Sequence, residues 1–178
     1  MILSKAEEFT ARGLNTQLLT VDNAADGAYL YLALKKKDPE RAERVRQLLE
    51  WNGGGANSSG VGIGCVNNQG WVYPDQFWHS RPLGNVKEKK FSQIWSQTGN
   101  EFLDKLRDRV PHLKGKCSTC GFVSLCGGGL RSRAEMSLGD TWAADPACYL
   151  TDEERIPRAM SSASMNLEGS PRSMSIRN

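Results

Sequence analysis

The pattern of apolar and polar positions divides the chain into a periodic first third, a hairpin region and a stretch without period. Ser4-Lys5-Ala6-Glu7 fits a capping box, which predicts a first helix that Gly13 can close. Thr16 to Asp22 reads as a buried strand, and Ala25 to Lys37 as a helix. Asp38-Pro39 opens a further helix, with Asp as N-cap and Pro in the first turn. Its residues Ala42, Val45, Leu48 and Leu49 are placed on one face, and Asn52-Gly53-Gly54-Gly55 ends it.

From Gly53 the character changes. Gly62 to Val66 and Trp71 to Tyr73 read as short strands joined by an Asn67-Asn68-Gln69-Gly70 turn. Leu83-Gly84-Asn85-Val86 leads into a helix near Lys90. Its stripe runs Phe91, Ile94, Trp95, Phe102, Leu103, Leu106; Gly99 weakens the middle enough to split it in two, and Pro111 stops it. Between Lys116 and Asp152 no period is visible, and Cys and Gly dominate. Residues 156–178 hold six Ser and no pattern, which predicts a disordered tail. No internal repeat is present.

Composition narrows the class. The chain has 178 residues, 39% hydrophobic and 24% charged, as an ordinary globular domain does. The longest apolar run, Ala28 to Leu34, is far short of the roughly 20 residues of a membrane span. No basic segment precedes an apolar stretch with a cleavage site, so the sequence reads as cytoplasmic and without a membrane partner. After residue 155, three Arg and one Glu carry +2 of the net +3, so the body carries +1 and has no electrostatic footprint for nucleic acid.

The chemistry lies in the cysteines. Cys117-x2-Cys120-x5-Cys126-x21-Cys148 offers four thiolates, and the C-x2-C step sets two of them on one tight turn. A tetrahedral zinc ion most often takes two short pairs. A [4Fe–4S] cubane, with its irons at separate corners, accepts uneven spacing. Gly121 and Gly127-Gly128-Gly129 suit close approach of backbone N–H groups to sulfides. Spacing leaves both metal readings open, beside unligated thiols. Lys114, Lys116, Arg131 and Arg133 lie close by and could offset the charge of four thiolates, or be plain surface charges. Cys65 stands alone in the hairpin and reads as a small buried hydrophobe.

These residues resemble the C-terminal half of the SPASM/Twitch pattern, the auxiliary-cluster domain of radical SAM enzymes. Supporting motifs are the Gly-Cys hairpin, Leu83 to Val86 and Phe91 to Trp95. More narrowly, Trp51-Asn52-Gly53-Gly54, Pro74-Asp75-Gln76-Phe77-Trp78 and Asp145-Pro146-Ala147-Cys148-Tyr149-Leu150 resemble the heme d1 biosynthesis proteins and their relatives in alternative heme synthesis. The resemblance implies an α/β (α+β) architecture. Residues 1–52 would be the end of a partial (β/α) barrel, 53–155 the iron–sulfur domain and 156–178 the tail. It implies one auxiliary [4Fe–4S] cluster on Cys117, Cys120, Cys126 and Cys148. A full domain of this kind has seven cysteines and two clusters; here Leu130 stands where a further cysteine would follow Cys126, and Cys65 lacks a companion.

The parent enzymes bind S-adenosylmethionine through a CxxxCxxC motif on the barrel. That spacing is absent from these residues. The resemblance therefore assigns the chain to the C-terminal part of such an enzyme, with a barrel supplied in cis or in trans, and with propionate side-chain removal from a tetrapyrrole as the parent chemistry. A peptide-modifying maturase and a zinc-stabilised interaction module are the alternatives. A flat macrocycle calls for stacking surfaces and for cations facing its carboxylates. Trp71, Tyr73, Phe77, Trp78 and Tyr149 are the aromatic candidates, Arg81, Arg131 and Arg133 the cationic ones, and His79 a possible ligand for a substrate iron. Each of these has core packing or plain surface as its ordinary role.

The tail carries only scattered large apolar residues, too few to offset ordering at about 1–2 kcal/mol per residue. Truncation after Arg155 is expected to leave the thermal midpoint and metal content unchanged. A clear fall in either would show that the tail docks.

Overall fold

A computed structural model describes residues 2–17, 19–96 and 99–155. The chain forms helices α1 (Ile2–Ala11), α2 (Ala25–Lys35) and α3 (Pro39–Trp51), then strands β1 (Cys65–Val66), β2 (Trp71–Tyr73) and β3 (Gly84–Asn85). Helices α4 (Phe91–Trp95), α5 (Glu101–Arg107), α6 (Val123–Cys126) and α7 (Arg131–Leu138) follow. The sheet is antiparallel in the order β1-β2-β3, with Cys65 opposite Tyr73 and Trp71 opposite Asn85. This is the mixed helix and strand architecture that the sequence predicts. Residues 156–178, read above as a tail, lie outside the described residues.

Helix α1 starts before the expected cap, so Ser4 lies within its first turn; Gly13, at φ 69°, closes it as predicted. The predicted strand over 16–22 does not form among its described residues. Asp22 takes a left-handed φ of 60°, which no strand residue can keep. Leu19 and Val21 are exposed, and among the described residues no second strand runs beside them to complete a ladder. Helix α3 forms as read, with the Asp38 carboxylate accepting the Arg41 N–H at 3.0 Å. Its packed face is Ala42, Val45 and Leu49. Leu48 is 64% exposed, because six residues on from Ala42 turn it about 120° away from that face.

The Asn67–Gly70 turn forms the expected hairpin, Asn67 Oδ1 accepting from the N–H groups of Gln69 and Trp71 at 3.0 and 2.9 Å. Strand β3 is an addition to the sequence reading. Two residues are too few to show a period; Gly84 pairs with Val72, and a Cβ there would crowd the Ile94 side chain. The predicted Phe91–Leu106 stripe does split, into α4 and α5. Asn100 caps α5, accepting the Leu103 N–H at 3.1 Å. Ile94, Leu103, Leu106, Val72 and Trp78 are all buried, and the Trp78 indole meets the Phe102 ring edge-on at 4.9 Å.

Two further apolar clusters flank the cysteine loops. One joins Ala28, Cys120, Phe122, Leu125 and Leu150; the other joins Leu113, Cys117 and Val123. The glycine run after α3 has a packing reason. Residues 54–56 lie backbone against backbone on α6, and a Cβ on Gly55 would collide with the Cys126 carbonyl oxygen.

Leu103 has no exposure, so Leu103→Ala should lower stability by about 2–5 kcal/mol in urea unfolding. Leu48→Ala should change it by less than about 0.5 kcal/mol, as an exposed site does. A large loss at Leu48 would contradict its placement outside the packed face.

Candidate metal centre

Three stretches of chain carry the four cysteines. Cys117 ends a short 3₁₀ turn over 115–117, and Cys120 follows on the next turn, its N–H 3.4 Å from the Cys117 carbonyl. Cys126 ends α6. Cys148 sits on a turn whose N–H reaches the Asp145 carbonyl at 3.1 Å. The four line one cavity with an almost wholly apolar wall that includes Ala25, Val123 and Leu150; Lys116 and Arg155 also border it. Cys65, in β1, is not part of that wall. Among the described residues, no three His, Cys, Asp or Glu side chains converge closely enough to hold a single metal ion.

The donor set fits an iron–sulfur centre. All four donors are sulfur, and the Gly128 N–H lies 3.4 Å from the Cys126 Sγ, the backbone-to-sulfur contact such centres use. The Nε atoms of Arg131 and Arg155 are buried without a hydrogen-bond partner. Loss of solvent pushes the Cys126 thiol up to about 12 against the opposing Gly128 N–H, and it raises Cys120 as well. Bare, these two thiols are protonated at neutral pH, and ligation displaces the proton.

The loops rest on polar groups that the period could not reveal. Helix α7 lay within the stretch read as aperiodic, because the face it buries is polar: Arg131 and Ser132 have no exposure. Asp145, 2% exposed, accepts the Leu130 N–H at 2.8 Å and the Ala147 N–H at 3.0 Å. It also takes both arms of Arg133, at 2.8 and 2.7 Å. Burial works to raise this carboxyl, but Arg133 and the two N–H groups outweigh it and hold it below the usual carboxylate value. Gly129 must lack a side chain here, since a Cβ would run into the Asp145 carboxylate. Asp145 and Arg155 are the site residues that sequence reasoning missed. The Asp-Pro-Ala-Cys run, with an acceptor two residues before an N–H, was the available signal for Asp145.

The substrate candidates fare unevenly. Arg131 points its donors at the backbone carbonyls of Gly128, Thr141 (3.0 Å) and Ala143 (2.7 Å), so it is a buried tie and cannot meet a carboxylate of a bound macrocycle. Arg133 is committed to Asp145 and to the Asp22 carbonyl at 2.9 Å. Arg81 forks onto Glu135 at 3.1 Å twice and lies over the Phe102 ring. Trp78 is core, 1% exposed, and Tyr73 is buried edge-on to His79. Trp71, Phe77 and Tyr149 keep exposed faces, although the Tyr149 hydroxyl donates to Asp26 at 2.7 Å. His79 and Phe77 border an open groove with Met136.

Asp145→Asn breaks the Arg133 fork and should cost about 2–3 kcal/mol. The folded carboxyl is lowered, so its contribution is complete above the unfolded value near 4 and lost as pH falls through the folded one. The stability difference between wild type and Asp145→Asn should therefore shrink on acidification below about pH 4. A difference that does not change with pH would contradict the assignment.

No family model matches the chain, and no solved structure matches it. It is 46% identical over 157 residues to the Fe-coproporphyrin III synthase of Methanosarcina barkeri, covering 86% of this chain and 39% of that protein. It is 40% identical over 156 residues to the pre-heme d1 synthase of Dinoroseobacter shibae, covering 86% and 38%. The AdoMet-dependent heme synthase of Nitratidesulfovibrio vulgaris is 30% identical over 98 residues, 55% of this chain and 25% of that one. The chain spans about two fifths of the length of the first two. Over most of its own length it is a homologue of the radical SAM proteins of heme biosynthesis.

Proposed function

We propose that this chain is the auxiliary-cluster part of a radical SAM enzyme acting on a tetrapyrrole in the cytoplasm. Residues 53–155 would form the SPASM/Twitch-like domain, and residues 1–52 the last elements of a barrel supplied in cis or in trans. One observation carries the reading: four cysteines from separate turns line a single cavity, within a stretch 46% identical to an Fe-coproporphyrin III synthase. A lone tetrahedral ion needs its thiolates within roughly 4 Å of one another, given zinc–sulfur bonds of about 2.3 Å. A cubane spreads its ligands over separate corners, which suits four thiolates at the uneven spacing x2, x5 and x21.

When bound, the cluster supplies one-electron chemistry or a seat beside the substrate. Cys117, Cys120, Cys126 and Cys148 would hold it, and the Gly128 N–H would support the Cys126 sulfur. The apolar wall of Ala25, Val123 and Leu150 keeps water away from the thiolates. Trp71 and Phe77 offer the exposed ring faces for a macrocycle, and S-adenosylmethionine would bind to the barrel alone.

Anaerobic reconstitution should load about four iron and four sulfide per chain. Serine at position 117, 120, 126 or 148 should each lower iron sharply, and Cys65→Ser should leave it nearly unchanged. Stoichiometric zinc without sulfide would sink the reading, and a large iron loss in Cys65→Ser would overturn the ligand assignment.

Cleavage of S-adenosylmethionine needs an iron with an open position, and four thiolates close every corner of one cubane. The reduced, loaded chain should therefore make no 5′-deoxyadenosine alone. Catalytic amounts, lost in Cys117→Ser, would refute the closed-cluster argument.

A further inference from the structure

Five cations surround the cysteine loops, and the structure separates them by how their charge is answered. Lys114 pairs with Asp140 at 2.7 Å on the surface. Arg133 is forked onto Asp145, and Arg155 is paired with Asp152. Arg131 and Lys116 are different. Arg131 has no exposure, and its three hydrogen bonds end on neutral backbone carbonyls, leaving Nε without a partner. Lys116 is half-buried at the cavity wall, and its Nζ donates to the Cys148 carbonyl at 2.8 Å. Among the described residues, neither has a carboxylate within ion-pair distance.

A buried guanidinium without a counter-ion is costly, and neutral carbonyls only partly offset that cost. Arg109 is likewise buried on neutral oxygens, so burial alone does not call for an anion; Arg131 is set apart by its tie to a cysteine loop. Arg131 is anchored to the carbonyl of Gly128, two residues beyond Cys126, and Lys116 to that of Cys148 itself. Four thiolates about a cubane core leave a net charge near −2. Two unanswered cations, each tied to the backbone of a ligand loop, match that anion in number and sign.

We propose that Arg131 and Lys116 are the built-in counter-charges of the four-thiolate centre, and that they set how readily it accepts an electron. The proposal rests on the cluster reading above. A nearby positive charge stabilises the form with one more electron, so removing it disfavours reduction. The two residues are positioning groups that act on the centre through its field.

The test is a redox titration of the full loaded chain with dithionite and mediators, followed by the electron paramagnetic resonance of the reduced state. At fixed potential, Arg131→Gln should lower the reduced-to-oxidised ratio about tenfold, equivalent to ~59 mV for a one-electron couple. Lys116→Gln should lower it several-fold. Lys114→Gln, whose charge is already answered by Asp140, should leave it unchanged. Loaded Arg131→Gln and Lys116→Gln proteins indistinguishable from wild type would overturn the proposal, as would an equal shift in Lys114→Gln. If Arg131→Gln does not fold, the loaded Arg131→Lys and Lys116→Gln proteins decide: a near-wild-type ratio in the first with a several-fold lower ratio in the second supports the proposal, and a wild-type ratio in Lys116→Gln overturns it. Iron and sulfide are measured first in the wild type. Their absence would sink the cluster reading itself, and a loaded wild type with unshifted variants would sink this proposal alone.

Discussion

The carboxylate of Asp145 is the constraint from which the cysteine loops take their shape. It is buried, charged and fully bonded, accepting two backbone N–H groups and both arms of Arg133. Those bonds fix the start of α7, the turn that carries Cys148 and, through Arg133, the backbone at Asp22. Three distant stretches of chain thus meet at one side chain. The close approach of Gly129 follows from it, since only a residue without a side chain leaves room for the carboxylate. A fully satisfied buried network of this kind specifies one arrangement, and any missing member leaves a costly unpaired group.

The surrounding apolar clusters are small, and each contains a cysteine of the set: Cys120 in one, Cys117 in the other. Hydrophobic burial therefore brings the thiols to the cavity, while polar ties to backbone fix how the loops turn. A metal centre in that cavity would join both clusters through its own bonds and add binding free energy to folding. The arrangement explains how a stretch with little helical period can hold four cysteines around one cavity.

Much of the fold was legible because its elements follow simple rules. Asp38-Pro39 announced α3, Asn67–Gly70 announced the hairpin, and Gly99 announced the break between α4 and α5. Illegible elements had other causes. Helix α7 buries arginine and serine, so its period is invisible to any reading that follows apolar residues. The 16–22 segment has the composition of a strand, but a strand exists only beside another, and Asp22 turns left-handed instead. Of the candidate site, the four cysteines were plain from their spacing. The arginines were not, because a sequence gives their charge but not whether a carbonyl, a carboxylate or solvent receives it.

Native mass spectrometry of the anaerobically loaded chain tests the central claim most directly, because it weighs the centre on the intact protein. The account predicts one added mass of about four iron and four sulfide on each chain. A chain carrying one metal ion and no sulfide would contradict it.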